Sequence, residues 1–333
     1  MDRSGRVICV GHAALDSVYR IDAFPARPTK VTASRHDRSV GGMAANAACA
    51  IAALGGQVAL WGPIGDDEIG RHIVAELQSA GVAVDGAFIV PGARSSHSAI
   101  LVEACGERLI VSYRGDTLEA PAGLVGERPI DADVVMIDVR WPAGARCMAE
   151  RSKRLGIPIV LDGEMGNVRL VRELVPLADH VIFSEHGLLE WLGHPPGQAE
   201  TGEALQGLVA AGATLAAVTL GERGVVYAAA GGGAGNRVGN RVGNDESTGI
   251  AGDGVIHLPA FPVTAVETLG AGDTFHGAFA LALAEGMAID AAMRFAAAAA
   301  ALRCTRSGGR AALPSRQEVM ALLDASDADS ARS

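Results

Sequence analysis

The sequence is poor in the residues that define several large classes of protein. Aromatic residues make up 4% of the 333 positions, and the five cysteines are scattered and never spaced as C-x-x-C. This argues against a disulfide framework and against a zinc site. No apolar run is long enough to span a bilayer, and Asp16 interrupts the N-terminal segment before a signal-type apolar region develops. The sequence therefore predicts reduced thiols, no membrane partner and a cytoplasmic location.

The sequence also has fewer basic residues than acidic ones. There are 28 Lys and Arg against 38 Asp and Glu, which gives a formal net charge of −10. Such a surface repels polyanions, so we expect no nucleic-acid partner. The chain also lacks the G-x-x-x-x-G-K-[ST] of a P-loop, and no G-x-G-x-x-G follows a strand pattern. An anionic ligand must therefore find a local positive site of another kind.

Short β-branched runs alternate with segments of helical periodicity along most of the chain. The runs are RVICVG, QVALWG, ADVVMIDV, IPIVLD, DHVIFS and TLAAVTL. This alternation predicts an α/β fold with a mostly parallel sheet and helices on both faces. The sequence marks both ends of one helix. Asp66 can cap its start, and Gly81 lies where a glycine in the left-handed conformation would end it.

Three segments break this alternation. Residues 17–40 and 97–113 have the pattern of antiparallel strand pairs, the second turning at Gly106, and together they predict a small projecting sheet. Residues 231–254 repeat Asn-Arg-Val-Gly and are too polar to pack, so we expect a mobile hairpin extension there. We place one domain at 1–325 and a flexible C-terminal tail at 326–333.

The segment ETLGAGDTFHGAF, residues 267–279, puts small residues directly before an aspartate and a helical pattern. The first N–H groups of a helix have no intrahelical acceptors and carry partial positive charge. Glycines such as Gly270 and Gly272, with Ala271, let an anion approach them closely. The competing interpretation is a tight turn in which Asp273 is an ordinary helix N-cap.

Two further glycine-rich segments could also bind phosphate or sugar. In VGGMAANAACAIAALGG, residues 40–56, Gly41 and Gly42 open a helix with Asn46 one turn inside, although small residues also favour close helix packing. In VTLGERGV, residues 218–225, a strand ends before two glycines that bracket a charged turn. Its N–H groups could cradle phosphates, and a simple hairpin turn is the alternative.

Taken in chain order, 40–56, 218–225 and then 267–279, these segments resemble the PfkB/ribokinase family of sugar kinases over about residues 6–323. The resemblance implies a doubly wound α/β domain with a β-sheet lid, and an ATP- and Mg²⁺-dependent enzyme. It implies that Asp273 is the general base that takes the proton of a sugar primary hydroxyl. The N–H groups around Gly270, Ala271 and Gly272 then stabilise the charge on the transferred phosphoryl group.

The same resemblance assigns the other site residues by position. It implies that Asp16, Gly41, Gly42 and Asn46 bind the sugar, and that Thr219, Gly221, Gly224 and Thr268 bind the nucleotide, with Arg306 or Arg310 near its phosphates. The alternative for Asp16 is an ordinary turn aspartate. A monovalent cation, K⁺, is also allowed as a cofactor. Because open strand edges and apolar sheet faces favour association, we expect a homodimer formed through the lid.

Two motifs depart from the family pattern. Glu267-Thr268 stands where Asp-Thr is usual, and Ser184-Glu185-His186-Gly187 stands where Asn-x-x-Glu is associated with magnesium. We therefore expect Asp162, Glu164 or Glu185 to hold the metal through water, because Mg²⁺ keeps several of its waters. Surface carboxylates with no metal are the competing explanation.

Within the family, MIDVRWPAGA at 136–145 and ALRCTRSGGRAALP at 301–314 resemble sulfofructose kinases, and more distantly ketohexokinases. This implies that Lys30 and Arg140 bind an anionic substituent of the sugar, with Ser112 where those enzymes carry an asparagine. Alternatively, Lys30 is solvated and Arg140 pairs with Asp138 or Asp162. The sequence leaves other functions open. These are a neutral-ketose, ribose or nucleoside kinase, and a non-catalytic sugar or nucleotide sensor that kept the kinase fold.

Overall fold

The computed structural model describes residues 4–105, 107–116, 118, 125–126, 128–231 and 254–330. Its centre is an eight-stranded sheet in the order β4-β1-β9-β10-β11-β12-β13-β14. The strands are β1 (Arg6–Val10), β4 (Gln57–Trp61), β9 (Val134–Ile137), β10 (Ile159–Gly163), β11 (His180–Ser184), β12 (Leu215–Thr219), β13 (Val225–Ala229) and β14 (Val255–Leu258). The first six are parallel, and β13 and β14 are antiparallel additions at one edge. All six predicted strands are confirmed.

Helices cover both faces of this sheet, which explains why its strands are continuous apolar runs instead of alternating ones. One face carries α1 (Met43–Ala53), α2 (Glu68–Ser79), α7 (Ala271–Ala284) and α8 (Ile289–Cys304). The other carries α3 (Pro142–Leu155), α4 (Val168–Leu174), α5 (Glu185–Leu192) and α6 (Gln198–Ala210). The last helix, α9, spans Arg316–Ser330 and packs on α8. No helix in these residues has the length and apolar character needed to cross a membrane.

Alanine and glycine let α1 and α7 pack closely. A Cβ added at Gly277 would lie 2.5 Å from the main-chain oxygen of Ala47, so the two backbones are in contact there. Gly277 lies one helical turn beyond Asp273, and Ala47 follows Asn46 in the chain. The packing of small residues therefore brings the side chains of Asn46 and Asp273 together.

A second, four-stranded sheet is formed by the two segments that break the alternation. We call it the small sheet; it contains β2 (Ala14–Arg20), β3 (Arg35–Gly41), β7 (His97–Val102) and β8 (Arg108–Tyr113), in the order β3-β2-β7-β8. Both predicted antiparallel pairs are present, and β2 and β7 pair in parallel at the centre. β3 runs directly into α1, which ties the small sheet to the main one. A short parallel pair, β5 (Pro63–Gly65) and β6 (Phe88–Val90), completes the strands seen in the described residues.

Some boundaries differ from the sequence-based expectations. Asp67 caps α2 by accepting the N–H of Gly70 at 2.8 Å, so the assignment of that cap to Asp66 is wrong by one residue. Gly81 has the expected left-handed backbone, with φ of 85°. Residues 326–330 belong to α9, whereas we expected them in a flexible tail. The predicted turn at Gly106 and residues 232–253 of the hairpin extension predicted at 231–254 lie outside the described residues.

Candidate active site

The start of α7 is built as an open N-terminus. Gly270 is the N-cap with φ of 76°, a left-handed conformation that favours glycine, and Ala271, Gly272 and Asp273 form the first turn. No side chain caps this helix, so the interpretation of Asp273 as an ordinary N-cap is wrong. A Cβ added at Gly272 would meet nothing within 4 Å, which shows open space in front of the turn. N–H groups of this turn can therefore reach an anion.

The side chain of Asp273 is oriented by a hydrogen bond from α1. Asn46 Nδ2 donates to Asp273 Oδ2 at 2.7 Å, across 227 positions of sequence. One carboxylate oxygen is thereby fixed, and the described residues show no hydrogen bond from a side chain to the other. The two residues that the sequence assigned to different roles, base and sugar binder, lie in one site.

Burial raises the pKa of Asp273 from 3.8 to about 7, and the nearby charge of Asp162 adds to the rise. The hydrogen bond from Asn46 and the charge of His276 act in the opposite direction. A carboxylate with a pKa near neutrality is a stronger base than an ordinary one, and it still ionises in the neutral pH range. This is the combination that a general base needs.

Further acidic side chains lie behind Asp273, at the carboxyl ends of β9 and β10. Asp138 is fully buried and accepts N–H groups of His12 at 2.8 Å, Ala44 at 3.1 Å and Arg140 at 2.8 Å. It therefore fixes the chain where β1, β9 and α1 meet. Asp162 is 2% exposed, and burial, with the charge of Glu164, holds its pKa well above the usual value.

The predicted metal ligands differ in how well they fit a magnesium ion. Glu164 follows Asp162 at the end of β10, is half-buried and accepts the hydroxyl of Ser184 at 2.9 Å. Glu185 is instead exposed and paired with Arg223 at 2.6 Å. No group of three or more His, Cys, Asp or Glu in the described residues could enclose a metal. Of the three, the half-buried Glu164 is the one placed for an ion that keeps its waters, with Asp162 buried beside it, and Glu185 is already paired with Arg223.

On the sugar side, glycines are needed because other groups approach their backbone. A Cβ at Gly41 would lie 1.8 Å from Asp16 Oδ2, and one at Gly42, where φ is 95°, would lie 2.5 Å from the main-chain oxygen of His12. The other oxygen of Asp16 accepts a short hydrogen bond from Ser98. Asp16 is therefore held against the start of α1, within reach of the same space as Asn46.

A polar row crosses the small sheet at this point. Asp16 is directly opposite Ser39 and Ser98, and Ser98 is directly opposite Ser112. Directly paired residues point to the same face of a sheet, so Ser112 shares the face of Asp16. Below this row is a cavity of about 40 Å³, whose lining includes Asp16, Asn46, Gly270, Thr274, Arg303 and Arg310.

The two predicted anion-binding cations are not equally placed. Arg140 is half-buried, with Nε 3.4 Å from Met43 Sδ at the start of α1. Its contact with Asp138 is made by the main-chain N–H, and the described residues show no ion pair from its guanidinium to Asp138 or Asp162. Lys30 is exposed in the segment between β2 and β3.

The predicted nucleotide residues form two groups. At the end of β12, Thr219 Oγ1 donates to the main-chain oxygen of Phe183 at 3.4 Å, and Gly221 has open space beside it. A Cβ at Gly224 would lie 2.1 Å from the main-chain oxygen of Leu258, so this glycine is required by packing. Thr268 instead faces the small sheet, where Arg108 donates to its hydroxyl at 3.2 Å.

Neither predicted arginine contacts the Thr219–Gly224 turn. Arg306 pairs with Glu318 of α9. Arg310 donates to the main-chain oxygen of Glu76 and to Ser79 Oγ, both at 2.6 Å, and lines the cavity beside Asp16. The structure thus places Arg310 with the sugar-side residues.

Sequence reasoning gave no place in the site to four residues that shape it: Asp138, which was named only as a possible partner of Arg140, and Ser98, His276 and Arg303. Asp138 had a signal, since it is a charged residue directly after the buried run VVMI. His276 lies near Asp162 and has Nδ1 2.8 Å from the main-chain oxygen of Gly272. The roles of Ser98 and Arg303 depend on strand pairing and long-range contacts, which no local pattern reveals.

Comparisons with known proteins identify the family of this chain. The family model for the pfkB family carbohydrate kinases matches residues 4–316. The chain is 33% identical over 326 residues to ribokinase of Bacillus subtilis strain 168, covering 96% of this chain and 99% of that one. It is 27% identical over 348 residues to fructokinase-2 of Solanum habrochaites, covering 96% of each.

Solved structures show the same fold. A provisionally assigned ribokinase of Agrobacterium tumefaciens superposes with a TM-score of 0.83 at 34% identity, covering 97% of this chain and 99% of that one. The ribokinase of Arabidopsis thaliana, solved with ribose and ATP, superposes with a TM-score of 0.77 at 24% identity, covering 96% and 99%. Because the family match spans nearly the whole chain, the protein belongs to the pfkB family of carbohydrate kinases and is an ATP-dependent sugar kinase.

Proposed function

We propose that this kinase transfers the γ-phosphoryl group of ATP to a primary hydroxyl of a ketose or a related furanose, with Asp273 as general base. The observation that carries the proposal is the Asn46–Asp273 hydrogen bond at the open start of α7. It places a carboxylate of raised pKa beside N–H groups suited to a phosphate.

The chemical step uses the free oxygen of Asp273. The sugar hydroxyl loses its proton to this oxygen, the hydroxyl oxygen attacks the γ-phosphorus, and ADP leaves with the electrons of the broken P–O bond. N–H groups of the first turn of α7 stabilise the equatorial oxygens of the phosphoryl group. Asn46 keeps the carboxylate pointed at the hydroxyl throughout.

Magnesium supplies charge neutralisation to the phosphates when bound. Asp162 and Glu164 would hold it through its waters, because they lie at the carboxyl end of β10, where ligands collect in open α/β sheets. Glu185 is left out of this proposal because Arg223 already pairs with it. The turn at Thr219, Gly221 and Gly224 would receive the nucleotide.

The sugar would lie between the small sheet and the start of α1. Asp16, positioned by Ser98, would accept sugar hydroxyls, and Gly41 and Gly42 leave room for the ring. We propose that the small sheet closes over the sugar, because phosphoryl transfer must exclude water as a competing acceptor. Hydrogen exchange of β2, β3, β7 and β8 should slow when sugar binds, and unchanged exchange would reject closure.

An anionic substituent on the sugar, such as the sulfonate of 6-deoxy-6-sulfofructose, is the finer part of the proposal. Arg140 supports it, since this half-buried guanidinium has no ion-pair partner in the described residues. Ser112 shares the face of Asp16, and Lys30 could reach the sugar only if its segment moves inward. Neutral fructose and ribose, named for the relatives, are the alternatives.

A screen of ADP release over several sugars tests the substrate directly. It should compare fructose, 6-sulfofructose, fructose 6-phosphate, ribose and nucleosides in wild type and Arg140→Ala. For a charged sugar, Arg140→Ala should cost roughly 2 to 5 kcal/mol in kcat/KM, the scale for truncating a buried charge pair, while a neutral sugar is barely affected. Equal losses on all sugars would assign Arg140 to structure, and no turnover with any sugar would contradict the kinase proposal.

We also propose a homodimer formed through the small sheet. Its edge strand β8 exposes Leu109, Ile110 and Val111 in the described chain, and both faces of this strand are open. An open apolar edge strand favours pairing with a second chain. Sedimentation that finds only monomer at high protein concentration would reject the dimer.

The cytoplasmic location inferred from composition stays a prediction.

Glu267, where the sequence departs from the family pattern, is not free to hold the monovalent cation that the sequence allowed. Such an ion is held by oxygen ligands. Here each carboxylate oxygen of Glu267 already accepts a guanidinium, from Arg20 at 2.7 Å and from Arg303 at 3.1 Å. We therefore do not include K⁺ among the proposed cofactors.

A further inference from the structure

Arg303 is a buried charge directly behind the proposed phosphate-binding turn. Its side chain is 4% exposed and lies in the last turn of α8. A buried guanidinium is costly unless several acceptors compensate it. Nη2 donates to Glu267 Oε1 at 3.1 Å, and Nη1 donates to the main-chain oxygen of Arg306 at 3.1 Å. The charge is therefore held in place from two sides.

This charge lies next to the N-cap of α7. A Cβ at Gly270 would lie 3.9 Å from Arg303 Nε and 3.9 Å from Asn46 Nδ2. The guanidinium and the amide that orients Asp273 thus approach the same glycine. Both groups, with Gly270, line the cavity that reaches Asp16.

Glu267 connects this charge to the small sheet. Its second oxygen accepts Arg20 Nη2 at 2.7 Å, and Arg20 is the last residue of β2. The main-chain N–H groups of Val266 and Glu267 donate to the oxygen of Cys304 at 2.7 and 3.1 Å. Glu267 is 11% exposed, so its carboxylate depends on these partners. One carboxylate therefore joins β2, the segment before α7, and the end of α8.

We infer that Arg303 is a built-in cation that positions the start of α7 for phosphoryl transfer, so that the enzyme works without a bound monovalent metal ion. Arg303 is a positioning residue, because it acts through Glu267 and Gly270 and not through the reacting atoms. Its fixed charge adds to the positive end of the α7 dipole. The inference rests on the proposed kinase function.

The test compares wild type, Arg303→Met and the matched control Arg294→Met in buffers free of Na⁺ and K⁺. Arg294 lies on the same helix and pairs with Asp327, so its substitution removes the same charge away from the site. Wild-type kcat/KM should change less than twofold when K⁺ is added. Arg303→Met should lose ~10²-fold in kcat, the scale for removing a preorganised charge near a transition state. Arg294→Met should keep the wild-type rate.

Chemical rescue separates a positioned charge from a merely structural side chain. Added guanidinium or K⁺ should restore part of the kcat of Arg303→Met, because the truncated side chain leaves space for a small cation beside Glu267. Failure of both ions to restore kcat in a folded variant would overturn the inference, as would a tenfold or larger stimulation of wild type by K⁺.

Two further measurements keep the inference testable if Arg303→Met fails to fold. The substitution Arg20→Met should lower kcat/KM much less in a Glu267→Gln background than in wild type, because Arg20 and Arg303 both act through the carboxylate of Glu267. An equal loss of kcat/KM in both backgrounds would overturn the inference that these residues act through one carboxylate. Calorimetric ATP binding gives the second readout: if wild type phosphorylates no sugar, the proposed function fails. ATP should bind wild type without K⁺, and ATP binding should weaken in Arg303→Gln, which removes the charge, more than in Arg303→Lys, which keeps it; equal binding in both variants would overturn the inference.

Discussion

Asp273 and Asp16 are two half-buried carboxylates that lie in one site, and their surroundings differ. Burial raises the pKa of both. Around Asp273 a second carboxylate, Asp162, adds to the rise and brings the pKa to about 7. At Asp16 the hydrogen bond from the Ser98 hydroxyl lowers the pKa and so opposes the effect of burial. A neighbouring like charge thus raises the pKa of Asp273 further and favours a base that takes protons, whereas the hydrogen bond from Ser98 opposes the rise at Asp16.

The largest expected effect comes from removing the base. Asp273→Asn should lower kcat by at least ~10² to 10⁴, the usual range for a lost general base, because the shape is kept and only the proton acceptor is lost. Steady-state kinetics with the best sugar, together with calorimetric ATP binding, checks this. Asp324→Asn, an exposed carboxylate on α9, is the control. Unchanged turnover would remove Asp273 from catalysis.

A smaller effect, on a different parameter, is expected from Asp16. Asp16→Asn should raise KM for the sugar and lower kcat/KM by roughly 10- to 10²-fold, which corresponds to one or two lost charged hydrogen bonds. ATP affinity should not change. A loss in kcat as large as that of Asp273→Asn would mean that the two carboxylates share one role.

Gly41→Ala tests whether Asp16 needs the close approach seen here. The new Cβ would lie 1.8 Å from Asp16 Oδ2, so the carboxylate must move. We expect the KM effect of Asp16→Asn, with a loss of about 1 to 3 kcal/mol in the free energy of unfolding from overpacking. Gly55→Ala is a useful contrast, since that glycine has space but a φ of 86°. A wild-type KM in Gly41→Ala would contradict the positioning of Asp16.

The smallest effect is on stability and its dependence on pH. Because the folded-state pKa of Asp273 is raised above 3.8, the folded protein binds more protons than the unfolded chain between the two values. Stability is therefore lost as pH rises through this window, and the loss is complete above about 7. Asp273→Asn should raise Tm at pH 8 by at least about 2 °C and leave it unchanged near pH 4. A lower Tm at pH 8 would contradict the burial of an ionised carboxylate.

The sequence was informative where a local pattern determines structure. The six parallel strands follow from β-branched runs, and the start of α7 follows from Gly270, Ala271 and Gly272. The small sheet followed from alternation at 17–40 and 97–113.

Long-range geometry could not be predicted in this way. The Asn46–Asp273 pair depends on the contact of Gly277 with Ala47, and the position of Arg310 depends on its bond to the end of α2. The N-cap of α2 shows a smaller limit of prediction from sequence. Asp66 and Asp67 are adjacent aspartates, and either one is suited to cap a helix. Arg303 gave no signal at all, since a basic residue in a last helical turn is ordinary.

The pH dependence of kcat/KM in wild type and Asn46→Ala tests the central claim most directly. In wild type the rate should fall tenfold per pH unit below an apparent pKa of about 7, since protonated Asp273 cannot accept the hydroxyl proton. The Asn46 hydrogen bond lowers this pKa, so Asn46→Ala should move the acid limb to higher pH. An acid limb near pH 4, or one that moves to lower pH in Asn46→Ala, would contradict the assignment of Asp273 as the general base.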